Sequence, residues 1–222
     1  MINLKVVILV DYFDSRRMGD RQRWWGTQAC EGRRRAIELD PNYAAPHDNL
    51  GNAYDERGLV DQAIAEYKQA LALDLNFVGA HYNLGIVYDR KGWIDQAMAQ
   101  YKRAIELDPN HMKAHYCLGN AYRIKGSIDE AKTEYSRAVE IDPKFAEAHF
   151  NLAYVYYLSR RFDLAWRHLR IAEKLGMPTQ NVNQLINELR KVSREPSLLS
   201  RDRWARLLRA RDIEFLTQTQ KT

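Results

Sequence analysis

Cysteine is scarce in this chain of 222 residues, and the two that occur, Cys30 and Cys117, stand far apart with no paired spacing. Nothing about them points to a disulfide framework, a zinc site or haem attachment, and free thiols in a reducing compartment are the simpler reading. Long apolar runs are missing as well. The longest, 2–10, is interrupted by Lys5 and is far shorter than the roughly 20 residues needed to span a bilayer. It is followed by Asp-Tyr-Phe-Asp-Ser-Arg-Arg, not by the small residues of a leader cleavage site. The expectation is no membrane span and a cytoplasmic location. Gly-x-Ser-x-Gly, a phosphate loop, a dinucleotide fingerprint and His-Glu-x-x-His are all absent. The sequence therefore offers no catalytic residues, and the expectation is no enzyme activity, no cofactor and no metal.

What the chain has in quantity is charge, unevenly placed. The stretch 44–179 holds 17 basic against 18 acidic residues, so the net charge of +5 comes from the flanks. A basic balance is thus no property of the central surface.

That central stretch is periodic. In 78–111, His81, Leu84, Gly85 and Tyr88 fall at i, i+3, i+4 and i+7, and after Gly92 the series Ala97, Tyr101, Ala104, Ile105 repeats the helical spacing. Two amphipathic helices joined by a short turn are implied. Shifted back by 34 positions the register gives His47, Leu50, Gly51, Tyr54, Gly58, Ala63, Tyr67 and Ala70; shifted forward it gives His115, Leu118, Gly119, Tyr122, Gly126, Ala131, Tyr135 and Ala138. A looser fourth copy has His149, Leu152 and Tyr156, with Ala153 for the glycine and Leu169 for the second tyrosine.

Leu-Gly-x-x-Tyr, then Ala, Tyr, Ala and Asp-Pro within 34 residues resembles the tetratricopeptide repeat family over 44–179,. The resemblance implies an all-α fold, a right-handed α-solenoid (superhelix) of antiparallel helix pairs. The expected division is repeats at 44–77, 78–111, 112–145 and 146–179, a capping helix at 180–195 and a basic amphipathic C-terminal helix at 196–222. Before them come a divergent segment, 1–26, and an incomplete repeat, 27–43, whose Ile37-Glu-Leu-Asp-Pro41 matches Ile105-Glu-Leu-Asp-Pro109. Residues 27–40 read as its second helix, either the remnant of a longer array or a divergent native cap. Such an end is available for self-association with a second copy.

Small residues at Gly51, Gly85 and Gly119, facing Ala63, Ala97 and Ala131, let two helix axes approach closely. Gly58, Gly92 and Gly126 suit left-handed caps after the first helix. Asp61, Asp95, Asp129 and Asp163 offer carboxylates to the free N–H groups that open the second. Pro109 and Pro143 stop the second helix; Leu75 stands in that register, which predicts a less sharply set junction.

The four histidines at 34-residue spacing lie on successive helix pairs, at least roughly 8–10 Å apart. One metal cannot gather them, and they read as packing residues where the family usually carries tryptophan.

In the family the first helices line the concave surface. There the sixth residue of each unit is Asn49, Asn83, Cys117 and Asn151, and the ninth is Asn52, Ile86, Asn120 and Tyr154. An amide donates and accepts at once, so such a row can hold a peptide backbone; the repeat domain of O-linked N-acetylglucosamine transferase has a similar row. Tyr82, Tyr116 and Phe150, with Asp48 in the first unit, add an aromatic strip for apolar side chains or an arginine. The cochaperone carboxylate clamp is matched by Asn52, Asn83 and Lys113, while Asp48 and Cys117 replace its Lys and Arg; an aspartate there repels a carboxylate, which argues against it. The basic C-terminal helix is diluted by Asp202, Asp212 and Glu214, and a solvated capping face is favoured over nucleic-acid binding,. The favoured function is a protein–protein interaction scaffold binding a peptide segment of a partner protein. Its contact residues are Asn49, Asn52, Tyr82, Asn83, Lys113, Tyr116, Asn120 and Asn151. The rival reading is the substrate-recognition part of an enzyme complex, such as a repeat-linked glycosyltransferase.

Overall fold

The computed structural model describes residues 22–192, with side chains described for 31–190. The apolar run 2–10, the Cys30 thiol and the basic segment 196–222 lie outside the described residues. Among the described residues there are ten α-helices and no strand: α1 (Gln22–Leu39), α2 (Ala44–Glu56), α3 (Val60–Leu73), α4 (Val78–Arg90), α5 (Ile94–Leu107), α6 (Met112–Ile124), α7 (Ile128–Ile141), α8 (Ala146–Leu158), α9 (Phe162–Lys174) and α10 (Thr179–Val192). They fall into two compact units divided between Ala148 and His149. The fold class is all-α, built from helix pairs of the tetratricopeptide type.

In the first unit each pair closes on itself and leans on the next: α2 packs on α3, α4 on α5 and α6 on α7, while α3 meets α4 and α5 meets α6. The contact layer is small residues under tyrosine rings. Ala63, Ala97 and Ala131 have no exposed surface, and Tyr67, Tyr101 and Tyr135 are buried against Gly51, Gly85 and Gly119. Ala36 of α1 is buried in the register of Ala70, Ala104 and Ala138, and α1 packs on α2.

The turn inside each pair is set by backbone handedness. Gly58, Gly92 and Gly126 have φ of 72°, 76° and 77°, and the residue after each returns its N–H to the carbonyl five back, as Leu59 does to Tyr54 at 2.9 Å. That is the Schellman closure, which needs one left-handed residue.

The turn between pairs is an Asx turn. The Asp74, Asp108 and Asp142 carboxylates accept from the N–H groups of Asn76, Asn110 and Lys144 at 2.9, 3.0 and 2.9 Å,. The junction at Leu75 is therefore set as firmly as those carrying Pro109 and Pro143, contrary to the sequence reading. Asp74 builds the turn, and proline only reinforces it.

The first-turn aspartates also differ from expectation. Asp61, Asp95 and Asp129 do sit in the first turns of α3, α5 and α7, but the residues that cap these helices make no side-chain cap bond. The carboxylates turn outward to lysines instead. Asp61 meets Lys91 of the next repeat at 2.6 Å, Asp95 pairs with Lys125 in the same way, and Asp129 bonds Lys132 at 2.5 Å. These pairs are exposed to solvent, which screens them, and they add little to stability,.

The second unit has its own core. Ala153 of α8 and Ala165 and Leu169 of α9 are fully buried, and α10 lays Val182, Leu185, Ile186 and Leu189 into the same cluster. In its Schellman turn Arg160, with φ 57°, stands where the other repeats have glycine.

Candidate functional site: the face of the first helices

In the first unit α2, α4 and α6 run side by side, so equal positions on successive first helices form rows. Each histidine lies under this face, not on it. His47, His81 and His115 are 7–8% exposed, and their Nδ1 atoms bond residues 19 positions on, in the second helix of the same pair. The partners are Glu66 at 2.8 Å, Gln100 at 2.7 Å and Glu134 at 2.7 Å. The Nε2 atoms of His81 and His115 also reach the carbonyls of Leu75 and Pro109. Packing alone was expected; the structure adds a hydrogen-bonded lock between paired helices. Among the described residues no group of three or more His, Cys, Asp or Glu is placed to hold a metal.

Three asparagines of the expected row are tied into the wall. Tyr67 donates its hydroxyl to Asn52 Oδ1 at 2.8 Å, and Asn52 in turn donates to Asp48 Oδ2 at 3.3 Å. Asn83 reaches back from α4 to Asp48 Oδ1 at 3.0 Å. Asn120 accepts from Tyr135 at 2.7 Å, repeating the Tyr67–Asn52 bond. In the middle repeat Ile86 replaces the asparagine, and the buried Tyr101 hydroxyl has no hydrogen-bond partner of good geometry. It lies beside the Cys117 thiol, a weak partner, and burial pushes that thiol up to about 11. Burial likewise raises Tyr67, Tyr82 and Tyr101 above the usual tyrosine range and Tyr135 to about 12. These phenols stay protonated, and those of Tyr67 and Tyr135 serve as donors.

Asn52 and Asn83, two of the matched clamp positions, thus already hold a carboxylate, and it belongs to the chain. Asp48 is 8% exposed, and burial raises its carboxyl above the ordinary range against the lowering effect of the two amides. Sequence reasoning placed Asp48 in the aromatic strip but missed that it gathers the asparagines. The available signal was its register, which carries an aromatic ring in every other repeat.

Tyr82 and Tyr116 stand half-buried one repeat apart. Tyr82 lies on Tyr101, with centroids 6.3 Å apart, and on His111, at 4.8 Å; Tyr116 lies on Tyr135, at 5.9 Å, and on Phe145, at 4.8 Å. His111 caps α6 by accepting from Ala114 N–H at 3.1 Å, and burial lowers its ring toward the neutral form that can accept. Asn49 is half-buried and Lys113 exposed at the edge of the face. Asn151 belongs to the second unit, half-buried on α8. No helix among the described residues is long and apolar enough to cross a membrane.

A family model described as a TPR repeat matches residues 51–92, 90–123 and 119–159. A search of curated proteins returned no match. Among solved structures, a crystal structure of MamA is 26% identical with a TM-score of 0.63, covering 72% of this chain and 95% of its own. A structure from the functional characterisation of Pseudomonas aeruginosa PilF is 21% identical with a TM-score of 0.74, covering 84% of this chain and 83% of its own. MamA from residue 41 to its end, from Desulfovibrio magneticus RS-1, is 19% identical with a TM-score of 0.64, covering 79% and 97%. The last two bear on fold alone. With three consecutive model matches laid over helix pairs that share one turn chemistry and one tyrosine-under-glycine contact, the chain belongs to the tetratricopeptide repeat family.

Proposed function

We propose that this chain is a non-enzymatic scaffold that holds an extended segment of a partner protein along the face of its first helices. The observation that carries the reading is the pair Tyr82 and Tyr116, half-exposed one repeat apart and each seated on a buried tyrosine. Rings already fixed by packing contribute contact area while losing little side-chain freedom on binding.

The asparagine network supports the same reading in a different way. Asn52, Asn83 and Asn120 stiffen the wall and hold its rings at a fixed pitch, leaving Asn49 and Lys113 to meet the partner's backbone and charges. Asn151 continues the register by sequence into the second unit. The partner is a protein; its recognition is by backbone and aromatic contact, with the face inside a soluble assembly.

The experiment is site-specific photo-cross-linking in the native host. A benzophenone side chain at Asn49 or Lys113 is expected to capture a partner protein, and the same group at Lys68, exposed on α3, to capture none. Capture from Lys68 with silence at the other two positions would move the interface to the outer helices and end the proposal.

A further inference from the structure

Asp48 is out of character for its row. The equivalent positions carry Tyr82, Tyr116 and Phe150, all suited to half-buried contact, whereas an almost fully buried carboxylate is costly unless a cation or several donors compensate it. Two neutral amides orient Asp48, at 3.0 and 3.3 Å, but they leave its charge in place. A carboxylate offers about four acceptor sites, so roughly half remain unused.

Its neighbours are treated differently. Asp55, one helical register along α2, receives both guanidinium nitrogens of Arg90 at 2.6 and 2.8 Å. Asp61 has Lys91. Among the described residues no Lys, Arg or His forms an ion pair with Asp48; the side chains bonded to it are the neutral amides of Asn83 and Asn52.

What packs beside this carboxylate on α4 is a residue without a side chain. Gly79 of α4 lies over it: a Cβ there would stand 3.9 Å from Asp48 Oδ2 and 4.0 Å from Phe77 Cε1. In the third repeat the same register carries Lys113. A longer side chain at position 79 would fill the space next to Asp48, and a lysine would bring a positive charge close to it. The first pair of repeats has neither.

Resting on the groove reading above, we infer that Asp48, held by Asn52 and Asn83 and flanked by the side-chain-free Gly79, forms a subsite for a cationic side chain, an arginine or lysine of the partner's extended segment. The bound cation meets the unused carboxylate oxygen sites and stacks beside the Tyr82 end of the aromatic ledge. Specificity along the face is then graded: a basic side chain over the first two repeats, apolar or aromatic side chains over Tyr82 and Tyr116.

The test is selection of randomised linear peptides, displayed on phage, against the full chain, against Asp48→Asn and against Gly79→Lys, each variant checked for helical circular dichroism. The wild type is expected to enrich arginine or lysine at one register position, and both variants to select peptides without that preference. An arginine-bearing peptide chosen on the wild type should bind Asp48→Asn about tenfold more weakly by fluorescence anisotropy, the scale of one charge-assisted hydrogen bond. Peptides selected without a basic preference, or a preference that persists in both variants, overturn the subsite and leave the groove standing. Failure of the wild type to select any peptide overturns the groove and the subsite together. Should Asp48→Asn not fold, Gly79→Lys alone decides, since it leaves the asparagine network untouched.

Discussion

A Cβ added to Gly85 would stand 2.5 Å from Cε1 and 2.7 Å from Cδ1 of Tyr101. The glycine on the first helix and the tyrosine on the second are therefore one structural unit, and so are Gly51 with Tyr67 and Gly119 with Tyr135, at 2.6 and 2.7 Å. The fourth repeat exchanges both partners at once, for Ala153 and Leu169, and both remain fully buried in one cluster. A methyl gained on one helix is matched by a ring lost on the other.

Gly85→Ala is accordingly expected to destabilise the first unit by ~1–3 kcal/mol, the usual cost of overpacking. Adding Tyr101→Leu should recover part of that loss, because the smaller side chain frees the space the methyl takes and the Tyr101 hydroxyl forfeits only its weak contact with the Cys117 thiol,. A double-mutant cycle by urea denaturation should give a coupling of at least ~0.5 kcal/mol. Additive effects would mean that the two residues do not share the space.

The repeat length, the pairing of helices and the small-residue contacts were all legible in the sequence, because one backbone geometry imposes the same residue at the same place each time. Side-chain partners were not. The histidine lock is invisible as a pattern since its far end is Glu66, Gln100 and Glu134 by turns, three residues with a single hydrogen-bonding job. Asp61 and Asp95 were legible as first-turn acids, but their lysines lie 30 positions on, beyond any local rule. For the candidate site, register showed which residues share a face. It could not show that Asn52 and Asn83 are bound to Asp48, a contact 35 positions long in one case.

Leu75 is 71% exposed and stands where two later junctions have Pro109 and Pro143. The residue before it, Asp74, has φ −141° and ψ 100°, close to Asp108 at −132° and 92° and Asp142 at −129° and 96°. Both of those precede a proline, which requires this extended conformation. The Leu75 N–H makes no backbone hydrogen bond among the described residues, and its carbonyl, which accepts from His81, survives substitution. Leu75→Pro should stabilise the first unit by ~0.4–1 kcal/mol through the unfolded chain. The readout is a higher urea midpoint at unchanged slope; a lower midpoint would show that the turn rejects proline.

The second unit is expected to weaken as pH falls, for a reason located at one ring. Burial, then the neighbouring His149, lowers His168 to about 3, and the two Nδ1 atoms lie 3.0 Å apart, one donating and one accepting. Folding therefore keeps His168 neutral, whereas the unfolded chain takes up a proton below about 6.5. Between these values the unfolded state binds more protons, so stability is full above about pH 6.5 and declines as pH drops toward 3, by up to ~1.4 kcal/mol per pH unit. His168→Gln places at this position the amide that the second repeat carries as Gln100 opposite His81. Amide hydrogen exchange at Leu169 and Ala172, followed from pH 7 to 4.5 and corrected for intrinsic rates, should show the decline in the wild type and a flatter profile in the variant. Equal slopes would assign the acid sensitivity to carboxylates elsewhere and remove His168 from the account.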